Sequence, residues 1–328
     1  MINRKTVFIL GAGAHVPYGL LDGSGLLEAI LESLPRSSSN VTTPFAEFIF
    51  NLNSDTRTRR QLQEFRQALD LGGHTSIDSF LATHAAREGF TDIGKLAVAY
   101  HLLPLEFTYS WSRGAQKYDW MSFFFASMLT GCLSSVDSLL ASNNVDFVTF
   151  NYDRTLEDFL CTRVAHTYNL KPAAAWEKVQ KFKLVHVYGS LGEFDPRVIT
   201  ATGRPVNARD PMSHASVRNA AESIRLMYED RSEHSGIAEA MDLIRGAPYV
   251  CFLGFGFDPD NIKRLKLNEC CAGKSGIFAT RYRTADGDWG RVLQSMYPVA
   301  MNPSTAKFDT NSINWDSLEF LHQTQALG

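Results

Sequence analysis

The stretch that indicates the fold class is Thr6-Val7-Phe8-Ile9-Leu10-Gly11-Ala12-Gly13-Ala14. Its first five residues form an unbroken apolar and β-branched run, which is typical of a strand covered on both faces in a parallel sheet. Glycines directly after such a strand let the backbone of the turn approach a phosphate group. The dehydrogenase pattern Gly-x-Gly-x-x-Gly is incomplete, because Val16 stands where its third glycine belongs. A plain tight turn is the alternative interpretation of this segment.

Four later runs have the same character and predict further strands. Longer segments with helical spacing separate them, among them Ser134 to Ala141 and Val217 to Ile244. Buried strands that alternate with helices are typical of an α/β protein with a doubly wound parallel sheet. We therefore expect a Rossmann-like fold whose remaining strands are Val145 to Phe150, Lys183 to Tyr188, Tyr249 to Leu253 and a weaker run at Gly276 to Thr280.

The first two predicted strands are separated by far more chain than a simple crossover needs. The intervening region, about 35–144, contains a predicted helix at Gln61 to Leu71 and a long part rich in aromatic and small residues at helical spacing. We interpret it as a large helical insertion beside the sheet. The sheet domain is expected to span residues 1–302 with this insertion. Residues 303–328 are expected to form a C-terminal extension, either as a docking helix at Trp315 to His322 or as an ordered segment.

The composition is that of a folded protein rather than a disordered or nucleic-acid-binding one. The chain has 328 residues, 45% of them hydrophobic, and a formal net charge of −3. That charge argues against a dedicated nucleic-acid binder, which usually carries a basic face. None of the five cysteines forms a Cys-x-x-Cys pair, so we expect no disulfide framework and no bound metal. No run approaches the ~20 apolar residues that span a bilayer, so a cytoplasmic location is expected.

Polar residues follow the second predicted strand directly, in Asn151-Tyr152-Asp153. In open α/β sheets, ligands bind beyond the carboxyl ends of the strands, so Asn151 and Asp153 are candidates for a functional site. The alternative is that both side chains only turn the chain and cap the next helix.

The third predicted strand ends in His186 and Tyr188, before Gly189 and Ser190. Strand residues two apart share a face, so the two ring side chains are expected to point the same way, ~6–7 Å apart. A histidine at the carboxyl end of a sheet strand is a candidate for acid–base chemistry. A histidine on an apolar strand is otherwise more often a core residue.

The fourth predicted strand ends in two glycines, Gly254 and Gly256, and Asp260 and Asn261 follow. By themselves these residues indicate only a turn and a capped helix. Their position after a buried strand nevertheless places them at the expected ligand edge of the sheet.

Four motifs together resemble those of a known family. They are Gly-Ala-Gly-Ala, Thr-Phe-Asn-Tyr-Asp-x-x-Leu-Glu, Tyr-Gly-Ser-Leu and Gly-Phe-Gly-Phe-x-x-Asp-Asn, one after each of the first four predicted strands. In this order, over residues 6 to 265, the chain resembles the sirtuin-like superfamily. More narrowly, it is similar to the bacterial sirtuin-like NAD-consuming effectors of anti-phage defence. Ser76 to Leu81 also resembles a short segment common in that group.

The resemblance implies an NAD site and a role for each matching residue. Asn151 would hold the nicotinamide ribose and the attacking water, with Asp153 close behind. The family's catalytic histidine position is occupied by Tyr188, so we expect His186 to substitute for it as the acid–base residue. Tyr188 would then contact the ligand. The other residues expected to line the NAD site are Gly11, Ala12 and Gly13 at the phosphates, Gly189 and Ser190 beside Tyr188, and Gly254, Gly256, Asp260 and Asn261 near the adenosine.

The resemblance further implies an NAD glycohydrolase that converts NAD to nicotinamide and ADP-ribose in a defence setting. Its regulation would come from self-assembly or from a partner, such as a hexameric translocase-type ATPase or another sensor protein. A non-catalytic NAD or ADP-ribose binding module that gates a partner is the alternative, and Tyr188 favours it. An ordinary dinucleotide-dependent oxidoreductase is disfavoured by Val16 and by the absence of an acidic residue at the end of a second strand ~20 residues on.

Overall fold

Five parallel strands form one sheet in the described residues. The structure is a computed structural model and describes residues 1–36, 43–52, 56–107, 119–132, 134–196, 213–226, 228–229, 236–296, 315–324 and 326–328. The spatial order of the strands is β3-β2-β1-β4-β5. Their bounds are Thr6–Leu10 for β1, Val145–Thr149 for β2, Leu184–His186 for β3, Tyr249–Leu253 for β4 and Gly276–Ala279 for β5.

The central strand β1 explains the arrangement of the others. All five of its residues are buried, and it pairs in parallel with β2 on one side and β4 on the other. A strand that is covered on both faces needs apolar side chains on both, which its unbroken run supplies. The expected α/β class and the Rossmann-like parallel sheet are thus confirmed.

Helices cover both faces of the sheet, and three short 3-10 turns lie at Ala12–Ala14, Val16–Tyr18 and Leu105–Phe107. None of the helices in the described ranges has the length and apolar character that crossing a membrane requires. Their bounds are Gly23–Ser33 (α1), Pro44–Leu52 (α2), Thr56–Leu71 (α3), Ile77–Thr83 (α4), Phe90–Leu102 (α5), Trp120–Leu129 (α6), Val136–Ser142 (α7), Thr155–Thr167 (α8), Pro172–Val179 (α9), His214–Ser223 (α10), Gly236–Gly246 (α11), Pro259–Arg264 (α12), Leu267–Cys270 (α13), Asp286–Met296 (α14) and Ser317–Gln323 (α15).

The two faces of the sheet belong to two separate apolar clusters. Val7 and Ile9 of β1 pack into a cluster that includes residues of α1 to α5 and α10 to α14. Phe8 and Leu10 point the other way, into a cluster built largely from α6, α8 and α15. Alternate residues of one strand therefore hold the two helical layers, as the period of a strand requires.

Seven helices, α1 to α7, lie between β1 and β2 in the described part of the chain. The helix predicted from Gln61 begins earlier, at Thr56, and the one predicted at Ser134 to Ala141 is α7, capped by Ser135. The interpretation of this region as an insertion stays a prediction, as does the proposed domain division. The boundary near residue 303 lies outside the described residues.

The C-terminal docking helix is present as α15. Phe320 and Leu321 are buried, and His322 lies against the ring of Phe123 of α6 with 4.0 Å between ring centroids. The helix therefore completes the apolar layer on the Phe8 face of the sheet.

The segment with helical spacing from Val217 to Ile244 is not one continuous helix. The structure has two helices there, because the chain leaves α10 at Ile224, which forms an antiparallel bridge with Gly189. Arg225 N donates to the carbonyl of Tyr188 at 2.9 Å. Backbone pairing with the segment after β3 thus replaces helical hydrogen bonds, which periodicity alone does not reveal.

The turns that leave β1 and β4 pack backbone against backbone. Gly13 N donates to the carbonyl of Gly254 at 3.1 Å, and Gly254 has a φ of 58°. A Cβ on Gly254 would lie 1.9 Å from the amide nitrogen of Ala14, and one on Gly11 would lie 2.4 Å from the carbonyl oxygen of Gly254. Both glycines are thus required by close approach, and Gly254 also by its left-handed backbone.

Replacing Gly254 by alanine should destabilise the protein by about 3 kcal/mol or more, because the new methyl group overlaps the Ala14 backbone and the left-handed φ adds strain. Denaturant unfolding of the full chain measures the change in the free energy of unfolding. Gly256→Ala is the matched control, because nothing lies within 4 Å of a Cβ built there. Equal losses in the two variants would contradict the packing argument.

Candidate functional site

The carboxyl ends of four neighbouring strands, β1 to β4, carry the predicted site residues. In parallel sheets these ends share one edge, and the first residues after β1, β2 and β4 contact one another there. Asn151 contacts the Gly11 turn, and Gly13 contacts Gly254. The structure therefore brings the first, second and fourth motifs together at one place.

Asn151 lies at the centre of this edge and is only 5% exposed. Its Nδ2 donates to the carbonyl of Gly11 at 3.3 Å, and its backbone N–H donates to Oγ1 of Thr149 at 3.1 Å. Its side-chain oxygen, Oδ1, is buried and has no hydrogen-bond partner among the described residues. A buried acceptor of this kind is costly to leave unpaired, so this oxygen marks a place where a ligand or water would bind.

Asp153 is paired with a histidine that the sequence analysis did not assign. Nδ1 of His15 lies 2.8 Å from Oδ1 of Asp153, and both residues are buried. Burial opposes ionisation of Asp153, but His15 and the hydrogen bonds from His15 and Thr155 lower its pKa to about 2. The ionised carboxylate therefore accepts the Nδ1 hydrogen of His15, which fixes the orientation of the ring.

The other ring nitrogen of His15, Nε2, is buried without a partner among the described residues. Asn151 Nδ2 lies 3.0 Å from Nδ1 of His15. One ring nitrogen cannot donate to Asp153 and accept from Asn151 at once, and the ionised carboxylate takes the hydrogen. The contact thus places the Asn151 amide beside the ring without adding a second hydrogen bond.

His186, the predicted acid–base residue, has hydrogen-bond partners at both ring nitrogens. Nδ1 lies 2.8 Å from the carbonyl oxygen of Asn151, and Nε2 lies 2.7 Å from Oε1 of Glu157. Burial alone would lower the pKa of His186, but Glu157 and the Asn151 carbonyl raise it above 6.5. Both partners are acceptors, so the doubly protonated ring satisfies both. In this geometry His186 positions the Asn151 backbone.

The expectation that His186 and Tyr188 share a strand face is wrong. Strand β3 ends at His186, and Tyr188 lies in the turn that follows. The Tyr188 hydroxyl donates to Oδ1 of Asn261 at 2.6 Å, and burial raises the pKa of Tyr188 well above 10. Its ring packs edge to face against Phe150. Tyr188 and Asn261 are therefore brought together, whereas His186 contacts Asn151 and Glu157.

The remaining predicted residues divide into packed and open positions. Gly189 has a φ of 70° and forms the bridge with Ile224, and Ser190 donates to the carbonyl of Gly192 at 2.8 Å. The residues after β4 form the turn and capped helix that the sequence indicated. Asp258 caps α12 by accepting from two backbone N–H groups. The positions open to solvent are Gly13, Gly256 and Asp260, with Ala12 partly covered.

A buried ion pair, which the sequence analysis missed, holds the loop after β2. Arg154 contacts both carboxylate oxygens of Glu106, at 3.1 Å and 2.6 Å, and its backbone N–H donates to the same group. Each of the two side chains is 6% exposed. Because a buried charge is strongly destabilising without its partner, this pair constrains the loop that carries Asn151 and Asp153.

The missed residues differ in how far the sequence could have revealed them. Glu157 and Asp78, whose carboxylate accepts from the Tyr152 hydroxyl, lie inside segments named in the sequence analysis, and His15 directly follows the first motif. A polar residue directly after a glycine turn was the available signal for His15. Glu106 carries no local signal, because its partner is 48 residues away in sequence. The part of the chain that the structure describes has no group of three His, Cys, Asp or Glu side chains placed to hold a metal ion.

The His186–Glu157 pair makes a testable contribution to the pH dependence of stability. A histidine whose pKa is raised by folding stabilises the protein fully below pH 6.5, and this stabilisation is lost as the pH rises through the folded pKa. Glu157→Gln should lower the pKa of His186, measured by NMR titration, and reduce the loss of unfolding free energy as the pH rises above 6.5. Each unit of pKa is worth about 1.4 kcal/mol. Glu177→Gln, at an exposed position, is the control, and an unchanged His186 titration in Glu157→Gln would contradict the pairing.

No family model matches the chain, and no curated protein matches it significantly. The likeness to the sirtuin-like superfamily therefore depends on the four motifs and the segment Ser76 to Leu81.

Proposed function

We propose that the protein is an NAD glycohydrolase of the sirtuin-like type, acting as a defence effector. The observation that supports this best is the buried Asn151 side chain at the carboxyl edge of the central strands. Its amide is oriented by the Gly11 carbonyl, its Oδ1 lacks a partner among the described residues, and the His15–Asp153 pair lies beside it. Such an oriented amide suits a group that clamps ribose hydroxyls and water.

The proposed reaction explains why this edge needs fixed polar groups. Cleavage of the bond between nicotinamide and ribose passes through a state in which positive charge develops on the ribose. Asn151 offers both an amide donor and a carbonyl acceptor for the ribose hydroxyls, so it can orient the sugar and a water molecule. Groups already held in place lose little freedom when the transition state forms.

Burial at the site has two consequences for the proposed activity. Asn151 is 5% exposed and His15 1% exposed, so few solvent molecules compete with the water that attacks the ribose. The same burial means that NAD reaches Asn151 only when neighbouring residues move apart. We therefore expect an enzyme whose resting state is closed, consistent with control by assembly or by a partner protein.

The glycine turns are the part of the proposed site that is exposed to solvent. Gly13 and Gly256 are exposed, and Gly256 has no atom within 4 Å of a Cβ position. Backbone N–H groups at exposed glycines let a phosphate approach closely. The NAD phosphates are thus proposed to contact the turn from Gly11 to Gly13, with the adenosine toward Gly256, Asp260 and Asn261.

The alternative function is a non-catalytic module that binds NAD or ADP-ribose and gates a partner. One observation favours it, because the family's catalytic histidine position holds Tyr188, whose hydroxyl is bonded to Asn261. With its pKa raised by burial, Tyr188 is a poor proton acceptor near neutral pH. This alternative predicts that NAD binds, by calorimetry, without release of nicotinamide.

Replacing Asn151 by alanine should reduce nicotinamide release at least about 100-fold, because the clamp on the ribose and water is lost. The removed hydrogen bond to Gly11 should cost only about 1 kcal/mol of stability, so the variant should fold. Nicotinamide release from NAD by the full chain is measured at several protein concentrations. A steep concentration dependence would indicate activation by self-assembly.

Asn219→Ala, on the exposed surface of α10, is the control for this experiment. Equal rates for Asn151→Ala and the parent protein would refute the assignment of the site. NAD binding without nicotinamide release at any concentration would favour the gating module.

A further inference from the structure

We propose that His15, rather than His186, accepts the proton from the attacking water in this site. The inference depends on the proposed hydrolysis of NAD and assigns the proton transfer within it. The inference is based on the geometry of His15, His186 and Tyr188. These side chains differ in whether a polar ring atom is left without a hydrogen-bond partner among the described residues.

His15 has the arrangement that a proton acceptor needs. Its Nδ1 hydrogen is committed to the ionised Asp153 at 2.8 Å, so the ring gains or loses a proton only through Nε2. That atom is buried and has no partner among the described residues. A carboxylate that holds one imidazole nitrogen and leaves the other facing the reaction is the arrangement of many acid–base histidines.

The other two ring side chains lack an available atom. Both nitrogens of His186 are hydrogen-bonded, to the Asn151 carbonyl and to Glu157. The hydroxyl hydrogen of Tyr188 goes to Asn261. Freeing His186 would break a buried pair with Glu157, whereas His15 needs no rearrangement of its own contacts to accept a proton.

Asn151 connects His15 with the substrate position. Its Nδ2 is 3.0 Å from Nδ1 of His15, and its unpartnered Oδ1 belongs to the same amide. We take the attacking water to be held by Asn151 Oδ1, on the side chain that adjoins the His15 ring. Two unpaired polar atoms on adjoining buried side chains suit one water molecule, which accepts and donates hydrogen bonds.

The proposed step is balanced with water as the only co-reactant. The bond between C1′ of the ribose and the ring nitrogen of nicotinamide breaks, and its electron pair goes to that nitrogen. The water oxygen forms a new bond to C1′, and one of its protons moves to Nε2 of His15. Release of that proton to solvent completes the conversion of NAD⁺ and water to ADP-ribose, nicotinamide and H⁺.

The ionisable groups that face His15 come from two other elements. Asp153 contacts it from the loop after β2, and Tyr18 lies edge to face with 6.3 Å between ring centroids. The Tyr18 hydroxyl donates to Asp119 at 2.7 Å, so Asp119 is the next charge beyond that ring. Among the described residues, Asp153 is the ionisable group that hydrogen-bonds to the imidazole, so Asp153→Asn tests the pair while it preserves the shape of the side chain.

The test compares His15→Gln and Asp153→Asn with His101→Gln in the full chain. His101 is a partly buried histidine of α5 that is hydrogen-bonded to Ser33, so it controls for the loss of a hydrogen-bonded imidazole. Circular dichroism and thermal unfolding first establish that each variant folds. Nicotinamide release is then measured from pH 5 to 9, and NMR of ¹⁵N-labelled histidine follows Nε2 of His15 in the parent protein.

We expect kcat to fall at least about 100-fold in His15→Gln with KM changed less than threefold, and the acidic limb of the parent's pH profile to disappear. Asp153→Asn should also lower kcat, and His101→Gln should match the parent. Equal kcat for folded His15→Gln and the parent would overturn the inference and leave the hydrolysis intact. A parent protein that releases no nicotinamide at any concentration or pH would overturn both proposals.

Discussion

The contact between the turns that leave β1 and β4 is the constraint on which the rest of the site depends. The two strands are neighbours at the centre of the sheet, so the turns that follow them lie side by side in a confined space. Glycine at positions 11, 13 and 254 lets the backbones meet, with Gly13 N bonded to the Gly254 carbonyl. This contact fixes the Gly11 carbonyl that orients Asn151 and the short turns that place His15.

The fold was largely predictable because its signals are local. A strand buried on both faces needs an unbroken apolar run, and all five runs became strands of one parallel sheet. The helical spacing from Val217 to Ile244 shows the limit, since two helices form there and the bridge between Ile224 and Gly189 joins segments far apart in sequence. Periodicity measures which face of a segment is apolar, and it says nothing about a backbone that leaves the helix to pair elsewhere.

The site was predictable in location but not in the partners of its side chains. Asn151 and Asp153 were expected at the carboxyl edge, and the structure places both there. The expected alignment of His186 with Tyr188 assumed that the strand continues, but β3 ends at His186. Asp153 and His15 are 138 residues apart in sequence, and they meet because the turns that carry them pack together. No spacing within one motif therefore predicts their pairing.

The charges at the start of α8 explain why two histidines at one edge have different hydrogen-bond environments. Asp153 and Glu157 lie four residues apart, one helical turn, and each contacts one histidine, while Arg154 between them is neutralised by Glu106. Glu157 is hydrogen-bonded to His186, whose other ring nitrogen is hydrogen-bonded to a backbone carbonyl. The His186 imidazole therefore has no nitrogen left for a ligand. Asp153 is hydrogen-bonded to His15, whose second ring nitrogen has no partner among the described residues. Two similar carboxylate–histidine pairs thus differ in one free ring nitrogen, and that difference, rather than the distance of either residue from the sheet edge, determines which imidazole can exchange a proton with a bound molecule.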